Sequence, residues 1–227
     1  MLRILKIVVL FALVVLLLRQ VRKPSRWFGR FFLWIMNHSH SSLTDWGLRH
    51  VTVGKSSRVL DVGCGGGRTI QKLSAMASEG SVYGVDYAEG SVRASHSKNA
   101  ALIRAGRGGI AQGTVSQLPF PDASFDLVTA VETQYYWPDM PRAMQEVLRV
   151  LKPGGTLIVI AESYKRKQPN KLVQPLMKVI SAAYLSVEEE RALFAGAGFV
   201  NVEIFEERGS GWLCAAGQKS SLPGGAA

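Results

Sequence analysis

The chain has 227 residues, 47% of them hydrophobic, enough for one core of ordinary size with a short appendage. Its net charge of +10 would suit a nucleic-acid binder, but the excess is local: Arg3, Lys6, Arg19, Arg22, Lys23, Arg26 and Arg30 fall in the first 30 residues, which hold no acid. The body is nearly neutral, so no nucleic-acid partner is expected, and Cys64 and Cys214 fit no metal-ligand spacing and read as free thiols of a reducing compartment.

Residues 7–18 form an uninterrupted apolar run that extends to Leu2 if Arg3 and Lys6 snorkel towards lipid head groups. Crossing a bilayer takes about 20 residues, so residues 2–18 span one only with local thinning. Arg19-Gln20-Val21-Arg22-Lys23-Pro24 follows directly, where a secretory signal would carry a small-residue cleavage site, so the segment reads as an uncleaved membrane anchor. The heavier basic flank lies after the run and places the following domain in the cytoplasm. Trp27, Phe28, Phe31, Phe32 and Trp34 suit either the water–lipid boundary or a cover for the domain's own core. Residues 1–36 are thus an N-terminal anchor and interfacial segment, 37–217 the folded domain and 218–227 a disordered tail.

His38 and His40 precede a helix predicted over 43–53; no Cys, His or Asp cluster completes a metal site with them, so no metal is expected. Val59, Leu60 and Val62 are strand formers, and Gly63-Cys64-Gly65-Gly66-Gly67 turns from that strand into a helix predicted over 69–77. Strands over 81–86, 109–115, 125–131 and 156–161 alternate with helices over 90–105 and 140–151, which predicts an α/β fold with a doubly wound, mostly parallel sheet. Lys152-Pro153-Gly154-Gly155 reads as a stop and turn. A helix over 187–197, closed by Gly198, leads to strands over 200–207 and 212–217. The short Gly209-Ser210 link favours a hairpin, so the seventh strand is expected to run antiparallel.

A strand, glycine turn and helix make a nucleotide-type cradle, and Cys64 within it reads as a small filler. A dinucleotide fingerprint would place a third spaced glycine where Arg68 stands, which argues against a nicotinamide enzyme. Asp86, at the end of the second strand, suits the hydroxyls of a ribose lying across the strand ends. Asp61-x-Gly63-x-Gly65-x-Gly67, Gly84-Val85-Asp86, the stretch from Leu118-Pro119-Phe120-Pro121-Asp122 to Ser124-Phe125-Asp126, and the stretch from Leu148-Arg149-Val150 to Lys152-Pro153-Gly154-Gly155 occur in that order. With these motifs the chain resembles the class I S-adenosylmethionine-dependent methyltransferases over residues 43–217, in the branch that includes quinone, sterol and other small-molecule methyltransferases.

The resemblance implies a Rossmann-like methyltransferase fold and S-adenosylmethionine as cofactor. It implies a binding set of Asp61, Gly63, Cys64, Gly65, Gly67, Asp86, Tyr87, Thr114, Val115 and Glu132, with the glycine loop under the methionine part, Asp86 on the ribose and Tyr87 or Ala88 beside the adenine. Where the family commonly has an acid after the third strand, this chain has Thr114, so the adenine contact there falls to a hydroxyl or to main chain. Methyl transfer from a sulfonium needs alignment more than covalent help. An acceptor that loses a proton would still gain from a base, for which Glu132, His38 and His40 are candidates. Tyr135, Tyr136 and Trp137 are candidates for an acceptor wall. The basic and apolar stretch 164–184 suits a lid or a strip on anionic lipid. The expected protein is a membrane-anchored methyltransferase of a small lipophilic acceptor, and a catalytically silent cofactor-binding module is the alternative.

Overall fold

In the computed structural model, which describes residues 41–166, 177 and 182–221, the glycine turn follows an interior strand of a seven-stranded sheet. That strand, β1 (Arg58–Val62), pairs in parallel with β2 (Ser81–Asp86) on one side and β4 (Phe125–Val131) on the other. β3 (Gly108–Gln112) extends the sheet beyond β2, and β5 (Leu151–Ala161) extends it beyond β4. β7 (Trp212–Lys219) lies antiparallel between β5 and β6 (Phe199–Glu207), which gives the order β3-β2-β1-β4-β5-β7-β6. Connections leave β1 and β4 in opposite directions, so a crevice opens at the carboxyl ends of these strands, where such sheets bind ligands.

Both faces of the sheet are covered, which is why its strands read as apolar runs. The strand period of two then sorts the side chains. Val59, Ile158, Ile160 and Cys214 face α1 (Ser41–Leu48) and α2 (Arg68–Met76), packing with Leu43, Ile70 and Leu73. Leu60, Val62, Leu157 and Val159 face the other way, with Met144 and Val147 of α5 (Met140–Val150) and Phe194 of α6 (Val187–Gly196). β2 and β4 coincide with their predicted bounds.

Other bounds differ for identifiable reasons. α1 ends at Leu48 because Arg49 and His50 turn back, their amides donating to the Trp46 and Gly47 carbonyls. The helix expected over 90–105 breaks into α3 (Glu89–Lys98) and α4 (Ala100–Arg104). Asn99 sits at the break, its Nδ2 donating to Gly67 O at 3.0 Å and to Ser95 O at 2.9 Å; the side chain serves the glycine turn and competes with the helix ladder. β3 stops at Gln112 and Thr114 bridges to Gln117, so Thr114 and Val115 leave the sheet. β5 begins at Leu151, with the expected turn at Pro153–Gly155 forming a bulge between the Phe125–Leu151 and Leu127–Thr156 pairs. β7 runs past 217: Gln218 pairs with Thr156, and Lys219 Nζ donates to Leu151 O at 2.8 Å, so the strand claims residues assigned to the tail.

The anchor at 2–18, the aromatic residues of 27–36, His38, His40, most of the 164–184 stretch and the tail beyond 221 lie outside the described residues. Among the described residues, no helix is long and apolar enough to cross a membrane and no group of His, Cys, Asp and Glu could hold a metal ion.

Candidate active site

The turn after β1 is held from behind by β2. Gly63 N and Cys64 N both donate to Val85 O, at 2.8 and 3.0 Å, and Gly67 N donates to Cys64 O at 2.8 Å. Two of its glycines are required by both conformation and space. Gly63 has φ +73° and a Cβ there would lie 2.1 Å from Thr133 Oγ1; Gly67 has φ +76° and a Cβ there would lie 2.4 Å from both Ser95 Oγ and Asn99 Nδ2. The loop is therefore clamped between the end of β4 and α3.

Asp86 occupies the mouth of the turn, almost fully buried. Its Oδ2 accepts from Gly65 N at 3.0 Å and its Oδ1 from Ala88 N at 2.9 Å. Burial pushes its carboxyl above the ordinary range, opposed by those amides and by Ser91. Asp61 lies deeper, accepting from Thr129 Oγ1 at 2.6 Å. Burial raises it to about 7, against the Thr129 bond and with further help from the Asp86 charge. The Cys64 thiol is likewise pushed up by burial, then by Asp61 and Asp86, and donates to Ser95 Oγ at 3.7 Å, as befits a packed, inert thiol.

Above the turn opens a cavity of ≈ 210 Å³. Gly63, Asp86, Tyr87, Thr114, Val115, Tyr136 and Trp137 line it, joined by Val62, Val85, Gly113, Thr133 and Pro138. Asp61, Cys64, Gly65, Gly67, Glu132 and Tyr135 belong to the frame and are absent from that lining. Among the described residues the lining offers one carboxylate, two threonine hydroxyls and the phenols of Tyr87 and Tyr136 among apolar walls, with no Lys or Arg. A pyrophosphate would meet Asp86 there, and the Gly65 amide that would greet it already donates to that carboxylate. An uncharged ribose and adenine beside a cationic sulfonium fit this donor set, so the residues present suit S-adenosylmethionine.

A methyltransferase domain profile matches residues 60–159. The chain is 31% identical over 191 residues to the demethylmenaquinone methyltransferase of Geobacillus stearothermophilus, a match covering 69% of this chain and 76% of the relative. The chain belongs to the class I S-adenosylmethionine-dependent methyltransferases. S-adenosylmethionine is the cofactor of this methyltransferase. A demethylmenaquinone methyltransferase of Staphylococcus aureus is 29% identical over 184 residues, covering 69% and 73% of the two chains. Two solved structures share the fold: a putative methyltransferase of Haloferax volcanii determined with a methyltransferase activator (TM-score 0.70, 23% identity, 85% of this chain and 94% of that one) and the geranyl diphosphate C-methyltransferase of Streptomyces coelicolor (TM-score 0.67, 16% identity, 79% and 76%).

Two of the four motifs that mark this methyltransferase serve one another. Arg149 donates to Phe120 O at 2.9 Å and Leu118 O at 3.1 Å and pairs with Asp122 and Glu146, while Glu146 Oε1 accepts from Leu118 N. Lys152 pairs with Asp126, which also accepts from Arg58 N. These contacts clasp the 118–126 loop to α5 and β5; the cavity is bounded by the other two motifs.

The aromatic residues after β4 separate. Tyr136 and Trp137 face the cavity, whereas Tyr135, expected to share their wall, turns inward. Its hydroxyl donates to Glu132 Oε1 at 3.1 Å and accepts from Ser163 N at 3.0 Å, and Glu132 also accepts from Glu162 N. Glu132 holds a left-handed backbone at φ +56°, a strain that non-glycine residues rarely adopt. Burial, and then the Glu132 charge, push the Tyr135 phenol up and keep it protonated as the donor. Thr133 escaped the sequence reading, although it adjoins Glu132 at the same strand end; its contact surface with Gly63 reveals it.

Proposed function

We propose that this methyltransferase moves the methyl group of S-adenosylmethionine to a small lipophilic acceptor, of the quinol type, presented at the membrane. The observation that carries the reading is the apolar cavity in which Tyr136, Trp137 and Pro138 stand opposite Gly63 and Asp86. Relatives named demethylmenaquinone methyltransferases support the acceptor class. The apolar run at 2–18 and its basic flank support a cytoplasmic domain tethered to the bilayer.

In this reading Asp86 accepts the ribose hydroxyls through the lone pairs its amide partners leave, and Tyr87, Thr114 and Val115 bracket the adenine. The main chain of Gly63 approaches the methionine part, with Thr133 behind it. Bound cofactor supplies an activated methyl group on a sulfonium. Tyr136 and Trp137 hold a flat acceptor in line with it and exclude water, which is the alignment such a displacement requires. Gly63 and Asp86 hold the cofactor for direct in-line transfer of its methyl group to the acceptor's nucleophilic atom. Glu132 acts through Tyr135 to set the turn that carries the wall, and His38 and His40 stand as the candidates for the acceptor's proton.

One observation favours a silent module instead: among the described residues the cavity lining contains no carboxylate or imidazole other than Asp86, whose oxygens already hold the glycine turn and the start of α3. Incubating the full-length protein with methyl-labelled cofactor and a total lipid extract decides between them. The expected result is label in an extractable lipophilic product identified by mass; label in protein or nucleic acid, or none from many extracts, overturns the proposal.

A further inference from the structure

Beside the cofactor cavity, and sharing no lining residue with it, lies a small chamber of ≈ 20 Å³. It is built where α6 meets the turn after β4 and the end of β5, and its lining is apolar apart from Gln134, Tyr135, Ser163, Tyr164 and Glu190. Glu190, one turn into α6, is 3% exposed and accepts from Gln134 Nε2 at 2.8 Å; Gln134 is itself buried. Gln134 opens the 3₁₀ turn Gln134–Tyr136, and its carbonyl accepts from Trp137 N at 3.1 Å. The residue whose side chain is held by Glu190 thus anchors, through its own main chain, the two residues that wall the cavity.

We propose that Glu190 is a positioning residue for the acceptor wall, gripping Gln134 from behind and coupling the proton on its carboxyl to the placement of Tyr136 and Trp137. The inference rests on the reading of those two residues as that wall. Ionised, Glu190 makes a charge-assisted bond to the Gln134 amide; protonated, it accepts more weakly and carries a hydrogen of its own, so the grip on the turn changes. Burial raises Glu190 to about 7, opposed by the Gln134 bond. Among the described residues the ionisable groups around it are few. The turn contributes Tyr135, and the end of β5 contributes Tyr164, which donates to Glu206 of β6. Met140 from α5, Leu213 from β7, Ala183 and Leu185 add apolar contacts. On its own helix Glu189 pairs with Lys165, Arg191 donates to Val202 O at 2.7 Å, and Glu188 is exposed. Among the described residues no cation lines the chamber to hold the Glu190 charge, and burial leaves its proton to exchange near neutrality.

The test is fluorine NMR on full-length protein carrying 5-fluorotryptophan, with the Trp137 signal assigned by its loss in Trp137→Phe. The Trp137 shift is expected to titrate with a midpoint near 7, to lose that step in Glu190→Gln and in Gln134→Met, and to keep it in Glu190→Asp. Asp61, the other carboxyl held at about 7, lines neither cavity, so Asp61→Asn should also keep the step. A Trp137 signal that stays flat through neutrality in the unaltered protein overturns the proposal without any variant being needed. The same step surviving in Glu190→Gln, with the other four tryptophan signals in their native positions, overturns it as well. The readout needs no turnover, so a failed acceptor search and a failed proton coupling are separate results.

Discussion

Gly63 and Gly154 form a matched pair that isolates what the glycine turn requires. Both are left-handed, at φ +73° and +76°. An alanine at either site therefore costs about 1–2 kcal/mol of backbone strain. At Gly154, in the bulge of β5, nothing lies within 4 Å of the added Cβ. At Gly63 it would meet Thr133 Oγ1 at 2.1 Å and Thr133 Cβ at 2.6 Å. Overlap of this kind costs about 1–3 kcal/mol more, bringing Gly63→Ala to roughly 2–5 kcal/mol. At about 2–4 °C per kcal/mol for a domain of this size, Gly154→Ala should lower Tm by roughly 2–8 °C and Gly63→Ala by roughly 4–20 °C. Only Gly63→Ala should also weaken S-adenosylhomocysteine in calorimetric titration, since displacing Thr133 and the turn deforms the cavity. Adding Thr133→Ala should not restore binding, because the Thr133 Cβ stays in the way. Equal Tm losses and equal affinities in the two single variants would refute the claim that the turn is clamped against β4.

Asp86→Asn keeps the shape but turns an amino group towards Gly65 N or Ala88 N; hydrogen bonds to a charged group contribute about 1.5–3 kcal/mol, so S-adenosylhomocysteine should bind on the order of ten- to a hundred-fold more weakly. Unchanged affinity would remove Asp86 from the ribose site. Burial pushes both thiols up, Cys214 to about 12, so a thiol reagent at neutral pH should label neither cysteine in the native protein and both after denaturation. Rapid native labelling of Cys64 would reopen its assignment as filler. Asp61 is raised from 3.8 to about 7 in the fold, so across that interval the folded state binds the proton that the unfolded state has released. Stability from this group is then lost as pH rises from about 4 to about 7. Asp61→Asn, which still accepts from Thr129, should flatten the decline of Tm over that range, and an unaltered slope would contradict the burial assignment.

The positions of β2 and β4 were legible because strands covered on both faces are rich in apolar residues, and an acid marks the end of each, Asp86 closing β2 and Glu132 following β4. The antiparallel last strand was legible from the short link before it. The cofactor side of the site could be read because a glycine turn and the acid at the next strand end are local consequences of chain geometry. The break at Asn99 was not, since the carbonyl it serves belongs to Gly67 in another element. The 118–126 and 148–155 motifs, which the sequence offers only as marks of the family, clasp one another through Arg149, a pairing that exists only once α5 lies against the loop.

By itself the sequence determined the fold class and the cofactor cradle, because periodicity and glycine spacing act over a few residues and need no distant partner, while the family was legible only as a resemblance carried by four motifs. The tertiary structure alone decided which aromatic residues face the cavity. Tyr135 and Tyr136 are neighbours of nearly the same chemistry, and no local rule sends one inward. Ser163 from the end of β5 meets the Tyr135 hydroxyl, and Glu190 from α6 meets Gln134 beside it. Contacts across such separations in sequence orient an aperiodic turn, so the acceptor wall exists only in the folded chain.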